Sequence, residues 1–154
     1  MEIHGTVRDI LQNKGGEIWT TAPGNTVYEA IGLMGEKNIG ALVVIENGEV
    51  VGVLSERDCA RKVLLGQRVA EDVMVREIMT TSVITVTPEQ KITACIALMH
   101  EKGIRHLPVM RGSEVTGVLS VRDLMGALIE RHERLLRRLH EERLTLLYPD
   151  PSSY

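Results

Sequence analysis

The sequence predicts a mixed α/β (α+β) fold built from two copies of one β-α-β-β-α unit, with an extended helix after the second copy. Three observations carry that prediction. Residues 18–58 recur at 83–123 without a gap, so that a step of 65 turns Pro23 into Pro88, Met34 into Met99, Gly52 into Gly117 and Asp58 into Asp123. Within each copy the apolar spacing alternates between β-branched runs and a three-and-four periodicity. After Asp123 the helical spacing continues well past the repeat, to about Leu147.

Each element has its own signal. The β-branched and aromatic stretches Ile18-Trp19-Thr20-Thr21 and Val83-Ile84-Thr85-Val86 predict short strands closed by Pro23 and Pro88. Val27, Ala30, Ile31 and Met34, matched by Ile92, Cys95, Ile96 and Met99, share one helix face, and Thr26-Val27-Tyr28-Glu29 has the form of a capping box. Gly40 and Gly103 punctuate the helix exits. Ala41–Ile45 and Leu107–Met110 are continuous apolar runs, as in buried strands. Turns at Glu46-Asn47-Gly48 and Arg111-Gly112-Ser113 lead into hairpin partners at 50–54 and 115–119. Ser55 and Ser120 then open the second helices as N-caps.

A lead-in precedes each copy: Val7-Arg8-Asp9-Ile10-Leu11 resembles Val75-Arg76-Glu77-Ile78-Met79 at an offset of 68, so the first carries three extra residues within 12–16. The organisation is therefore a lead-in helix at 1–17, repeat one at 18–65, a short helical linker at 66–82, repeat two at 83–130, and a C-terminal helix and tail at 131–154. The last helix sets Leu128, Ile129, Leu135, Leu136 and Leu139 among many arginines and glutamates, which suits a solvated surface helix, a dimer element or a partner-binding helix. Pro149 and Pro151 suggest a frayed end.

At 154 residues, with 44% hydrophobic content, the chain can bury a core, and two interlocked halves are expected rather than two free domains. A net charge of −3 argues against a general nucleic-acid binder. Cys59 and Cys95 lack any metal or redox spacing and read as reduced buried thiols, which suits the cytoplasm. No apolar run approaches the length of a membrane helix, and the histidines show no convergent metal spacing. The phosphate-loop, dinucleotide, zinc-protease and nucleophile-elbow motifs are all missing, so no catalytic residue is assigned.

The endings Gly52-Val53-Leu54-Ser55-Glu56-Arg57-Asp58 and Gly117-Val118-Leu119-Ser120-Val121-Arg122-Asp123, together with Asn38–Val44 and Gly103-Ile104-Arg105-His106-Leu107-Pro108-Val109, strongly resemble a tandem pair of CBS domains. These regulatory modules are named after cystathionine beta-synthase. The resemblance covers about residues 5–130, and small stand-alone CBS-pair proteins are its closest form. It implies two repeats related by a pseudo-twofold axis, inter-repeat clefts that hold adenine nucleotides, and association of the discs into homodimers or larger assemblies.

Side-chain chemistry agrees with that implication. An aspartate at a helix start can accept both hydroxyls of a ribose, each charge-assisted bond contributing ~1.5–3 kcal/mol where water is excluded. Asp58 and Asp123 are the candidates, with Ser55 and Ser120 near a phosphate, although one Ser-x-x-Asp alone is an ordinary helix cap. The family pattern sets the aspartate of one repeat against the first strand and second-strand start of the other. Asp58 and Ser55 then face Val83, Ile84, Arg105 and His106, with Pro108 beyond; Asp123 and Ser120 face Ile18, Trp19, Thr20, Gly40 and Ala41. Arg105 offers a phosphate fork, so the Asp58 cleft is expected to hold the phosphate-rich ligand better, while the Asp123 cleft suits adenosine or depends on Arg122 or a neighbouring subunit. Arg57 and Arg122 can reach phosphates, and Trp19 can flank an adenine or serve the core.

The leading expectation is a regulatory sensor of AMP, ADP, ATP, NAD or S-adenosylmethionine, acting on an unidentified partner protein, with no metal, membrane or nucleic acid involved. The alternatives are a dimeric scaffold acting through the C-terminal helix and a small enzyme using His106 or Asp58.

Overall fold

The computed structural model describes residues 5–147; His4 and the tail with Pro149 and Pro151 lie outside them. In chain order the elements are α1 (Val7–Lys14), β1 (Thr20–Thr21), α2 (Val27–Lys37), β2 (Ala41–Glu46), β3 (Glu49–Ser55) and α3 (Glu56–Cys59), which runs on as a π-helical turn at Ala60–Leu64. A 3₁₀ turn at Ala70–Asp72 precedes α4 (Val75–Ile78), followed by α5 (Ile92–Lys102), β4 (His106–Arg111), β5 (Glu114–Ser120) and α6 (Val121–Leu147).

The 65-residue step holds to the residue: α5, β4 and β5 begin and end 65 positions after α2, β2 and β3. Even the irregularity in each hairpin repeats, after Val44 and after Val109. In the first hairpin Asn47 and Gly48 both take positive φ, 51° and 79°, the conformation of a type I′ turn. The predicted first strands are shorter than expected. Only Thr20–Thr21 pairs, in parallel, with β2, and its counterpart is a single parallel bridge, Val86 with Val109. The α2 cap box is present, Glu29 N–H donating to Thr26 Oγ1 at 3.1 Å and Thr26 N–H to Glu29 Oε2 at 2.9 Å. Its left-handed C-cap is Asn38 (φ 52°), not Gly40; Asn38 is the residue equivalent to Gly103 (φ 64°), and both close a helix by the same geometry.

The two cores are exchanged at their edges. Val73, Val75 and Ile78, from the lead-in to repeat two, pack with Val27, Met34, Leu42 and Leu54 of repeat one. Val7 and Ile10, from the lead-in to repeat one, pack with Ile92, Met99, Leu107 and Leu119 of repeat two. Backbone bonds fix both docks in the same pattern: Val7 and Arg8 N–H donate to Gln90 and Pro88 carbonyls, Val75 and Arg76 N–H to Asn25 and Pro23. Neither core closes without a segment that precedes the other repeat.

Gly52 and Gly117 stand where the lead-ins lie closest to the sheets. A Cβ at Gly117 would sit 2.9 Å from two Leu11 methyls, and one at Gly52 would sit 2.8 Å from Met79 Sδ and 3.0 Å from the Thr80 carbonyl oxygen. Gly117→Ala is therefore expected to destabilise by about 1–3 kcal/mol in urea unfolding. Adding Leu11→Ala to it should cost less than the two single changes summed. Met79→Ala should relieve Gly52→Ala less completely, since the Thr80 backbone still blocks the added methyl.

Candidate functional site

Both Ser-x-x-Asp sequences fold as reciprocal caps. Asp58 N–H donates to Ser55 Oγ at 3.1 Å, and Ser55 N–H and Oγ–H donate back to Asp58 Oδ2 at 3.2 and 2.9 Å. Asp123 N–H donates to Ser120 Oγ at 3.1 Å while Ser120 N–H donates to Asp123 Oδ2 at 2.8 Å. The cap fixes the carboxylate by one oxygen, which leaves Oδ1 to face other groups. At Asp58 that oxygen meets Lys62 Nζ at 3.5 Å; at Asp123 the lysine, Lys14, again takes Oδ2, at 2.8 Å. Asp123 is thus a positioned carboxylate, its side chain 14% exposed, with no described donor on Oδ1.

The surroundings of the two aspartates differ, and the three extra lead-in residues explain the difference. After Ile78 the second lead-in turns extended, and Thr80 pairs with Val53, Thr80 N–H donating to its carbonyl at 2.9 Å. The first lead-in stays helical to Lys14, and Lys14 Nζ donates to the equivalent carbonyl, Val118 O, at 2.9 Å. A side-chain ammonium stands where repeat one has a backbone strand. The edge of β5 is therefore uncovered, and Thr116, Gly117 and Val118 line a cavity of about 670 Å³, a size that accommodates a nucleotide-sized ligand.

That cavity brings together Ile18, Trp19, Gly40 and Ala41 of repeat one with Ser120, Arg122 and Asp123 of repeat two, and adds Arg105, His106, Lys14 and Glu56. Arg105 and His106 were expected opposite Asp58, and their position at the Asp123 cavity is the main difference from the sequence reading. His106 pairs with Ser120 across β4 and β5, which keeps it beside its own repeat's aspartate; Ala41 pairs with Ser55 in the same register, yet it borders this cavity too, because the two strand starts meet there. His106 also lies beside Gly40, whose added Cβ would be 3.2 Å from Nε2. Neither this cavity nor a neighbouring one along α6 includes Ser55, Arg57, Asp58, Val83 or Ile84. Ile84 packs on the second core, Thr20 pairs within the sheet, and Pro108 is buried with its carbonyl accepting Val86 N–H.

Trp19 borders the cavity, but Lys37 Nζ lies 4.2 Å from its ring centroid, a cation–π contact that occupies one face. Lys14 and Glu56 were missed in the sequence; the offset of 68 against 65 was the available signal for Lys14. Burial lowers the His106 pKa, the charges of Lys14 and Arg105 push the same way, and Asp123 opposes them. The imidazole is therefore a neutral donor and acceptor at pH 7. Burial raises both thiols, Cys59 to about 11, so neither is a reactive thiolate. Among the described residues no cluster of three metal-ligating side chains occurs, and no helix is long and apolar enough to cross a membrane.

The structure is thus a pair of interlocked repeats enclosing a ligand-sized cavity beside a capped aspartate. The CBS domain pattern matches residues 6–65 and 75–130, and the chain belongs to that family. It is 36% identical, over 88% of its length and 70% of the relative's, to the mitochondrial CBS domain-containing protein CBSX3 of Arabidopsis thaliana. Among solved structures, a CBS-domain protein from Burkholderia ambifaria MC40-6 is 43% identical with a TM-score of 0.79, over 82% of this chain and 95% of that one. The CBS domain pair of protein MJ0100, solved with 5′-methylthioadenosine and S-adenosyl-L-methionine, has the same fold at 23% identity and a TM-score of 0.71, over 84% and 99%.

The His106 environment gives a measurable pH signature. Its imidazole resonances should titrate below the usual 6.5. Because the folded pKa is depressed, the unfolded chain takes up the proton first, so stability is complete above about 6.5 and falls as pH drops toward the folded value. His106→Gln should flatten that part of the stability profile, as read by urea unfolding between pH 7 and 5.

Proposed function

We propose that the chain is an adenine-nucleotide-binding regulatory module, and that ligand in the Asp123 cavity biases the arrangement of repeats or subunits that a partner protein reads. One observation carries the proposal: a cap-held carboxylate borders a cavity of nucleotide size, together with Lys14, Arg105, Arg122 and His106. The ribose hydroxyls would bond Asp123, displacing Lys14 toward the phosphates. Membership of a family with a regulatory role supports this, as does the fold shared with a pair that holds adenosyl ligands. The role is sensing rather than catalysis, in a reducing compartment such as the cytoplasm that keeps Cys59 and Cys95 as thiols. Asp58, with Ser55 and Arg57, lies outside both cavities, so the Asp123 cavity alone carries the proposal.

A second reading, the dimeric scaffold, is favoured by one feature of α6. Met125, Ile129, Leu136 and Leu139 are exposed along it, and Tyr28 and Ile31 of α2 are exposed as well. The two readings are compatible, since a homodimer is how ligand state would reach a partner.

Thermal unfolding with AMP, ADP, ATP, NAD and S-adenosylmethionine separates them. A ligand at 100 times its Kd should add ~2.7 kcal/mol. For a chain of this size that is a rise of about 5–10 °C. Asp123→Ala should abolish the rise and Asp58→Ala should retain it; no rise with any ligand in folded wild type would leave the scaffold reading alone.

A further inference from the structure

We infer that the ligand is a nucleoside carrying a chain of phosphates, and that the chain runs from the Asp123 cavity into a groove between α1 and α6. The inference rests on the nucleotide reading above and deepens it. A second cavity, of about 750 Å³, adjoins the first: Lys14, Arg122 and Asp123 line both. Beyond those shared residues it is lined along α6 by Arg131, Arg134 and Arg138. Their spacing of three and four places them on one helix face, away from the exposed Ile129 and Leu136. In a chain whose net charge is −3, this concentration of guanidinium groups beside a ribose-sized anchor is a local reversal of sign.

The acids of the groove do not cancel it. Asp9 caps α1, accepting from Thr6 N–H at 2.7 Å and from its hydroxyl at 3.1 Å, and keeps its charge, but Asp9, Asp123 and Glu130 stand against Lys14, Arg122, Arg131, Arg134 and Arg138 in the lining, so the cations outnumber the acids. Glu130 meets Arg134 at 3.3 Å, but both side chains are about two-thirds exposed, and such a surface pair is weak enough to exchange for phosphate. Among the described residues no ion pair engages Arg122 or Arg138. Arg138 lies fifteen positions beyond Asp123, about 22 Å along the helix axis at 1.5 Å per residue, farther than a monophosphate on an Asp123-bound ribose extends. Only a polyphosphate chain, or the far half of a dinucleotide, makes use of that length.

Isothermal titration calorimetry with AMP, ATP and adenosine 5′-tetraphosphate tests this on the full chain, beside the double variant Arg134→Gln/Arg138→Gln. Both arginines are exposed, so the variant should unfold at the wild-type temperature. Affinity is expected to rise with phosphate number in wild type. The variant should lose about tenfold or more for the tetraphosphate and less than twofold for AMP, and raised salt should weaken the tetraphosphate most. Equal affinity for AMP and the longer ligands, or equal loss for all three in the variant, would overturn the inference and leave the nucleotide reading standing. If none of the three binds, and adenosine and S-adenosylmethionine also fail, both fall together.

Discussion

The exchange of lead-in segments between the repeats is the constraint from which the rest of the structure follows. A β-α-β-β-α unit of this size has too little apolar surface to close its own core. Each repeat completes its core with side chains that precede the other, Val7 and Ile10 in one case and Val73, Val75 and Ile78 in the other. The docks are held by paired backbone bonds, so they specify register as well as burial. Gly52 and Gly117 are required by the same contact, because the lead-ins cross the hairpins too closely for a side chain. The pair is therefore one cooperative unit, and a cavity between the repeats is defined by packing on both sides of it.

Exact duplication would make both clefts alike; the departure from it makes them unlike. Three extra residues keep α1 helical to Lys14 where the second lead-in becomes extended after Ile78. A strand-like residue, Thr80, satisfies the Val53 carbonyl and covers that edge, whereas at Val118 a flexible ammonium satisfies the carbonyl and leaves the edge open to the cavity. A ligand can move a lysine side chain at little cost, but it cannot displace a packed backbone segment. This makes the Asp123 side the accessible one. On the proposed reading, Lys14 is the group that would exchange Asp123 for a phosphate.

Much of this was legible in the sequence, and for identifiable reasons. The 65-residue step gave the elements their positions, because residue-for-residue repetition preserves register, down to the irregularities after Val44 and Val109. The cap boxes were legible because capping is local chemistry. What the sequence did not show depended on contacts between distant segments. Ile18 and Val83 look like strand residues, yet only the ends of those stretches pair. Gly40 looked like a helix stop, but Asn38 takes the left-handed turn and Gly40 instead makes room for His106. The grouping of Arg105 and His106 with Asp123 follows from hairpin register together with the meeting of the two strand starts, where Gly40 lies against His106.

α6 belongs to two surfaces at once. Its first turn carries the cap that holds Asp123, and its continuation presents Arg131, Arg134 and Arg138 to the groove while Ile129 and Leu136 stay exposed on the other side. A helix with i→i+4 bonds throughout resists bending, so a shift imposed at its first turn is carried along its length. Phosphates drawing the arginine face toward α1 would rotate or translate the leucine face with it. On the proposed reading, ligand occupancy and any contact made by the exposed apolar face would be linked through this one helix, and the linkage would be reciprocal: a partner that favoured one position of α6 would change the affinity of the cleft by the same factor.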